Sequence, residues 1–418
     1  MKEFSSKTTP VDPSARILSL DVLRGFAVLG ILIMNIQGYS MIGAAYINPT
    51  AFGDLSGINK WVWILSHVFA NQKFMTIFTI LFGAGIVLLT RRIESKGLNA
   101  AGVHYRRAFW LLVIAIIHAY AFWYGDILFV YSLCAFLVYL FRKVSPRKLC
   151  IAGLLVISVA SLIYFFFGWS IPYWPQEVYQ NNLTMWKPGL EVITQEIASY
   201  QGSWLEQMSH RVPTSIFHET FLILIWYGWR TIGLMLVGMA LYKWGILSAK
   251  RSKRFYTSAM ILSFGIGLPI VIYGVVRDFA ANWSYEFSMF YGWQFNYWGS
   301  LLVAFAYICA VMLFCLSGLG LRLSNILASV GRMAFTNYLM QTLICTTLFY
   351  GHGFGLFGRL ERIGQIMIVL CIWLFQLVFS PLWLRSFRFG PVEWLWRSLT
   401  YKKFQPFRRK GSGLNIRH

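Results

Sequence analysis

Apolar residues in this chain come in long runs, not in the short periodic stripes of a water-soluble fold. The runs lie near 17–38, 72–90, 107–123, 127–141, 149–169, 217–242, 255–276, 297–318, 325–349 and 364–386. Most are long enough to cross roughly 30 Å of hydrocarbon as a helix. Lipid offers the backbone no hydrogen-bond partners, so such runs must satisfy their own. The pattern predicts an all-α, polytopic integral membrane protein with about ten transmembrane helices. The third and fourth runs are short, and Trp123-Tyr124-Gly125-Asp126 between them predicts a tight hairpin. The first run is too long, and too charged at its start, for a cleaved signal peptide.

The polar intervals set the orientation. Arg91, Arg92, Lys96, Arg106 and Arg107 fill one loop, and Arg142, Lys143, Arg147 and Lys148 fill the next but one. Lys243, Lys250, Arg251, Lys253 and Arg254 form a third cluster, and the C-terminal tail holds a fourth. All fall on one side if both termini are cytoplasmic. Arg359 and Arg362 are the exception. Segment 170–216 carries Glu177, Glu191, Glu196 and Glu206 against Lys187 and Arg211, and is expected outside, with an amphipathic helix over 190–210. The expected organisation is a cytoplasmic segment 1–16, a transmembrane domain 17–386, an interfacial cytoplasmic helix 387–401 and a disordered basic tail 402–418.

Composition supports this picture. Of 418 residues, 57% are hydrophobic and 12% charged, about half the charged fraction of soluble domains. The net charge of +22 would suit nucleic acid, but the Lys and Arg sit in short clusters between apolar runs. The bilayer is therefore the expected partner and no nucleic acid is. The six cysteines form no CxxC or Cys/His cluster, so no disulfide framework and no metal site is expected. Oligomeric state is left open.

Candidate chemistry lies in polar residues within apolar runs. Arg24 and Asn35, eleven residues apart, project from one face of the first span, about 16 Å apart along its axis. Arg230 falls near the centre of the sixth span, where a charge costs about 2.5–3.5 kcal/mol on insertion scales. With Glu219 eleven residues earlier on the same face, it reads equally as an anion-attracting group in a cavity or as part of an internal ion pair that fixes helix packing. Asn337, Gln341 and Cys345 share one face of the ninth span and suit interhelical hydrogen bonds better than substrate binding. Arg332 lies near that span's cytoplasmic end. On the outer side, His118 and Asp126 can share a pocket in which the carboxylate orients an imidazole base. His67, Asn71 and Lys73 precede or open the second span; a lone His67 is more often structural. His104, His210 and His352 read as loop residues. No hydrolase, nucleotide, zinc-protease or dinucleotide motif stands in a credible context.

Several blocks resemble the bacterial YeiB-type membrane protein family, which carries domain of unknown function 418. They are Ser19-Leu20-Asp21-Val22-Leu23-Arg24-Gly25, Lys73-Phe74 with Leu81-Phe82-Gly83-Ala84-Gly85, and His118 with Trp123-Tyr124-Gly125-Asp126. Val330 through Gln341 and Gly390-Pro391-Val392-Glu393-Trp394-Leu395-Trp396 follow in family order. The resemblance implies the fold and a multi-pass place in the bacterial inner membrane; members are sometimes described as transporters. More distantly, the first span resembles that of membrane acyltransferases, which move acyl groups from cytoplasmic acyl-CoA to acceptors. One branch has an arginine, ten residues and a histidine there. Arg24 matches the arginine, and Asn35 replaces the histidine. The heparan N-acetyltransferase branch also has asparagine and uses a histidine slightly further along, a role that here falls to His67.

The leading expectation is acyl transfer from cytoplasmic acyl-CoA, a co-substrate and not a bound cofactor, to an envelope glycan or other small acceptor. Arg24 and Arg230 would hold the donor, Asn35 would position it, and His118 or His67 would be the base. The alternatives are a transporter of a small anionic or amphipathic solute, and a non-catalytic envelope scaffold acting through segment 170–216.

Overall fold

In the computed structural model, which describes residues 17–409, the apolar runs fold as helices, and no strand forms among the described residues. The helices are α1 Leu18–Ser40, α2 Gly43–Ile47, α3 Gly57–Phe69, α4 Lys73–Glu94, α5 Ala100–Ala121, α6 Leu128–Val138 and α7 Pro146–Ser170. Three helices on the face opposite the basic clusters follow: α8 Gln176–Trp186, α9 Leu190–Gln201 and α10 Met208–Phe217. Then come α11 Gly228–Lys243, α12 Lys253–Ala280, α13 Trp293–Ser317, α14 Leu321–Arg332, α15 Ala334–Phe349, α16 Arg362–Ser386 and α17 Pro391–Tyr401. A π-helical stretch, His218–Tyr227, joins α10 to α11, and another, Glu286–Gly292, leads into α13.

Among the described residues, eight helical segments are long and apolar enough to span a bilayer, and Leu128–Phe141 is a shorter apolar one. The chain is an all-α polytopic membrane protein. The expected ninth span is broken. Met333 leaves helical geometry, so amphipathic α14 ends and α15 starts afresh at Ala334. The second span extends backward through α3, with Gln72 in the left-handed region (φ 66°) at the joint.

α1 is the hub. It packs against α4, α13, α14, α15 and α16, and 78% of its apolar window is buried, against 22% for lipid-facing α16. Glycines permit the closest crossings, as is common where apolar attraction to lipid and to helix are equal. A Cβ on Gly25 would lie 2.0 Å from Leu327 O, and one on Gly331 1.9 Å from Asp21 O. α4 meets α11 the same way, with Gly83 against Met235 O and Gly238 against Ile80 O.

Segment 170–216 is docked onto the bundle. Asn48 Nδ2 donates to Trp186 O, Trp186 Nε1 to Trp283 O, and Gly351 N to Tyr200 O. The amphipathic helix expected over 190–210 ends at Gln201. Arg362, an exception to the charge rule, spends its guanidinium on Pro49, Phe52 and Asp54 carbonyls. At the basic face, residues 402–409 of the expected disordered tail are held down. Arg388 N donates to Phe407 O, Arg409 N to Ser386 O, and the Phe407 ring packs on Trp394 and Phe387. Segments 1–16 and 410–418 lie outside the described residues.

Candidate functional site

A cavity of about 260 Å³ opens among the basic ends of α1, α4, α5, α14 and α17. Its polar lining is Arg24, Arg92, Arg107, Arg332 and Arg397 with Asp21, Glu393 and His104. Its apolar lining includes Phe78, Leu81, Phe82, Leu111, Leu128 and Tyr338. Four of the five arginines are brought there by contacts that can be named. Arg24 stands one turn beyond Asp21, with Nη1 2.9 Å from Oδ1. Gly331 presses α14 onto α1 and so delivers Arg332 beside them. Arg107 lies over the Trp396 ring at 4.0 Å, and Trp396 Nε1 donates to Arg107 O at 2.9 Å. Arg397 lies over Phe389 at 4.7 Å.

Two carboxylates stand among the five guanidiniums of the lining. Asp21 is engaged with Arg24. Glu393 caps the restarted helix α15, accepting from Phe335 N at 2.8 Å, from Thr336 N at 3.1 Å and from the Thr336 hydroxyl. A carboxylate at a helix N-terminus satisfies orphan N–H groups and meets the positive end of the dipole. Burial raises the Glu393 carboxyl above the ordinary glutamate value, against these bonds. The remaining field favours an anion, and the apolar wall favours a hydrocarbon chain.

His118 and Asp126 do meet, as the hairpin suggested. Nδ1 is 2.7 Å from Asp126 Oδ1, and Nε2 is 2.9 Å from Thr342 Oγ1. A carboxylate only accepts, so Nδ1 carries the proton; in the neutral imidazole Thr342 then donates to Nε2. Thr342 also bonds Tyr39 Oη at 2.7 Å, and Asp126 Oδ2 accepts from Phe129 N at the start of α6. The network is buried and does not line the cavity. It approaches the cavity through Tyr338, whose ring centroid lies 5.5 Å from that of His118.

The other expected site residues disperse. Arg24 and Arg332 line the cavity; Asn35, Arg230, Asn337, Gln341 and His67 do not. Asn337 bonds Val330 O and Ser380, while Gln341 bonds Val28 O and Gln376, tying α15 to α14, α16 and α1. Asn35 is buried, and its side chain makes no hydrogen bond among the described residues. His67 Nδ1 meets Asn71 Nδ2 at 3.2 Å beneath Trp63. The ion pair weighed for Arg230 does not form: Glu219 accepts from Tyr120 Oη, and Arg230 bonds Tyr297 O, Thr76 and Ser300. His104 is no loop residue. It lies buried in α5, bonds Ala135 O at 3.0 Å and reaches the cavity wall.

Sequence reasoning missed Arg92, Arg107 and Arg397 as site residues because it counted the first two as topology signals and left the third within the interfacial helix 387–401. The available signal for Arg92 and Arg107 was their position one turn or less from the apolar runs. Among the described residues no group of three or more His, Cys, Asp or Glu could hold a metal ion.

The fold and the cavity define a polytopic helical membrane protein with an arginine-lined amphipathic cavity at its basic end. Residues 241–403 match the family model "Protein of unknown function (DUF418)". Along 399 residues the chain is 32% identical to "Uncharacterized protein YeiB" of Escherichia coli (strain K12), covering 94% of this chain and 98% of that one. It is 31% identical to "Uncharacterized protein YxaH" of Bacillus subtilis (strain 168), over 97% and 99% of the two chains. A third relative, "Uncharacterized 39.9 kDa protein in amylase 3'region" of Bacillus acidopullulyticus, is 27% identical over 95% of this chain. The chain belongs to the YeiB family.

Proposed function

We propose that the basic-end cavity is the donor site of a membrane acyltransferase and takes acyl-CoA from the cytoplasm. The observation that carries this reading is five guanidiniums around one apolar cavity. Guanidinium forks match phosphate oxygens, and the phenylalanine and leucine wall accepts an acyl chain. With both termini cytoplasmic in the bacterial inner membrane, the mouth faces the compartment that holds acyl-CoA. The acceptor is an envelope glycan or other hydroxyl or amine. His118, oriented by Asp126, is the base, and Thr342 holds the place of the hydroxyl that it would deprotonate. Tyr338, between cavity and base, must swing for the two to communicate.

The test is palmitoyl-CoA binding to the purified protein by calorimetry, with palmitate and free CoA as partial ligands. Arg24→Gln with Arg332→Gln is expected to weaken binding about tenfold to a hundredfold, about 1.4–2.8 kcal/mol. Undetectable binding to the wild type sinks the reading. Solute flux in proteoliposomes without acyl-CoA turnover would replace it with transport.

A further inference from the structure

Two cations that the cavity does not use lie where α4, α11 and α13 meet. Lys73 is 0% exposed and Arg230 7%. Lys73 Nζ donates to Asn296 Oδ1 at 2.5 Å and to His67 O at 2.9 Å. Arg230 donates to Tyr297 O at 3.0 Å, Ser300 Oγ at 2.9 Å and Thr76 Oγ1 at 3.1 Å, with its guanidinium 4.4 Å from the Tyr297 ring centre. Thr76 is one turn beyond Lys73, and Asn296, Tyr297 and Ser300 occupy one stretch of α13. Both cations are thus bonded to α13, Arg230 also to the helix that carries Lys73, and Lys73 feels the charge of Arg230.

Every hydrogen-bond partner is a neutral oxygen. Among the described residues, no ion pair joins a carboxylate to either cation within 4.0 Å. Buried Arg362 differs: it clamps a loop at the opposite face and has Glu361 and Asp54 as acidic neighbours. Inside the bilayer, two like charges without a counter-charge repel in a weakly screening medium. Donors are also left over. Lys73 has three N–H groups and Arg230 five, more than the five bonds above consume. The N-terminus of α4, which starts at Lys73 with no side-chain cap, adds its positive dipole end to the same region.

We propose that Lys73 and Arg230 form a membrane-embedded site for a small monovalent anion, distinct from the arginine cavity. The ligand is a halide or a small carboxylate held by the unused ammonium and guanidinium N–H groups. Its occupancy couples the α4–α11–α13 junction to anion concentration.

The experiment is thermal unfolding of the purified full-length protein in detergent at constant ionic strength, with gluconate replaced stepwise by chloride, bromide or acetate. A saturable rise in Tm is expected for the wild type and its loss in Lys73→Gln and in Arg230→Gln. In gluconate alone, Lys73→Gln is expected to melt at or above the wild type, because the repulsion is relieved. A rise with halides assigns an inorganic anion, and a rise with acetate alone assigns a carboxylate; either supports the site. Identical Tm in all salts overturns it. So does a rise that survives both substitutions and disappears in Arg24→Gln, which would place the anion in the cavity. Should both variants fail to fold, bromide anomalous scattering from wild-type crystals decides: a peak against Lys73 and Arg230 supports the site, and its absence there overturns it.

Discussion

The two ends of the bundle use polar residues in opposite ways. At the closed end, His118, Asp126, Thr342 and Tyr39 bond one another, and none of them lines the cavity. At the basic end, five arginines and two carboxylates line one cavity. Residues of catalytic type therefore serve first as an interhelical clamp, and residues that obey a topology rule build the cavity. Buried polar networks are stable only when complete, whereas a binding site needs groups with bonding capacity to spare. Placement on a cavity wall, more than residue type, separates the two ends.

The largest expected effect tests the clamp. His118→Ala leaves the Asp126 carboxylate buried beside Thr342 without its partner, and removal of one member of a buried pair costs about 3–5 kcal/mol. A loss of thermal stability in detergent is expected, partly restored by His118→Gln. If His118→Ala melts with the wild type, the comparison breaks, because the closed end is then no clamp.

A pair of glycine substitutions gives the next effect, on the open end. A Cβ on Gly85 meets nothing within 4 Å, and Gly85 lines the cavity. Gly85→Leu is expected to fill the cavity, weaken palmitoyl-CoA binding roughly tenfold, and leave Tm unchanged or higher, since a helix-interior glycine costs about 0.5–1 kcal/mol. Gly83→Leu, two residues away, would place its Cβ 2.1 Å from Met235 O and is expected to separate α4 from α11 and lower Tm sharply. Equal Tm for the two variants would refute this packing.

The smallest effect concerns the docked outer segment. Glu196 is half-buried, accepting from Gly43 N at 2.8 Å with His210 Nε2 at 3.6 Å, and partial burial raises its carboxyl above the ordinary value of 4.5. The folded state then binds the proton more tightly than the unfolded state, so stability falls as pH rises from the ordinary value through the raised one. Glu196→Gln is expected to flatten that part of a Tm–pH profile. An unchanged slope would show that Glu196 is solvated and that α9 is loosely docked.

Much of this was legible beforehand because membrane insertion is a local rule. A run of apolar residues is helical whatever its neighbours do, and α1, α7, α12 and α16 begin and end within a few residues of their runs. The hairpin at Trp123-Tyr124-Gly125-Asp126 and the meeting of His118 with Asp126 followed from chain connectivity. The break at Met333 did not, because it depends on Glu393 capping α15 through Thr336, fifty-seven residues earlier in the chain. Arg230 showed that it was costly but not which partners it had, since Thr76, Tyr297 and Ser300 come from two other helices.

The sequence by itself determined that this is a helical membrane protein of the YeiB family type, because hydrophobic length and family blocks are read along the chain. Only the tertiary structure decided which polar residues face open space. That depends on helix rotation and on backbone contacts such as Gly25 with Leu327 and Gly331 with Asp21, which no single helix encodes. Arg24 marks the boundary between the two. Its motif identified the family, but its part in a cavity required Arg92, Arg107, Arg332 and Arg397 to be carried to it by four other helices.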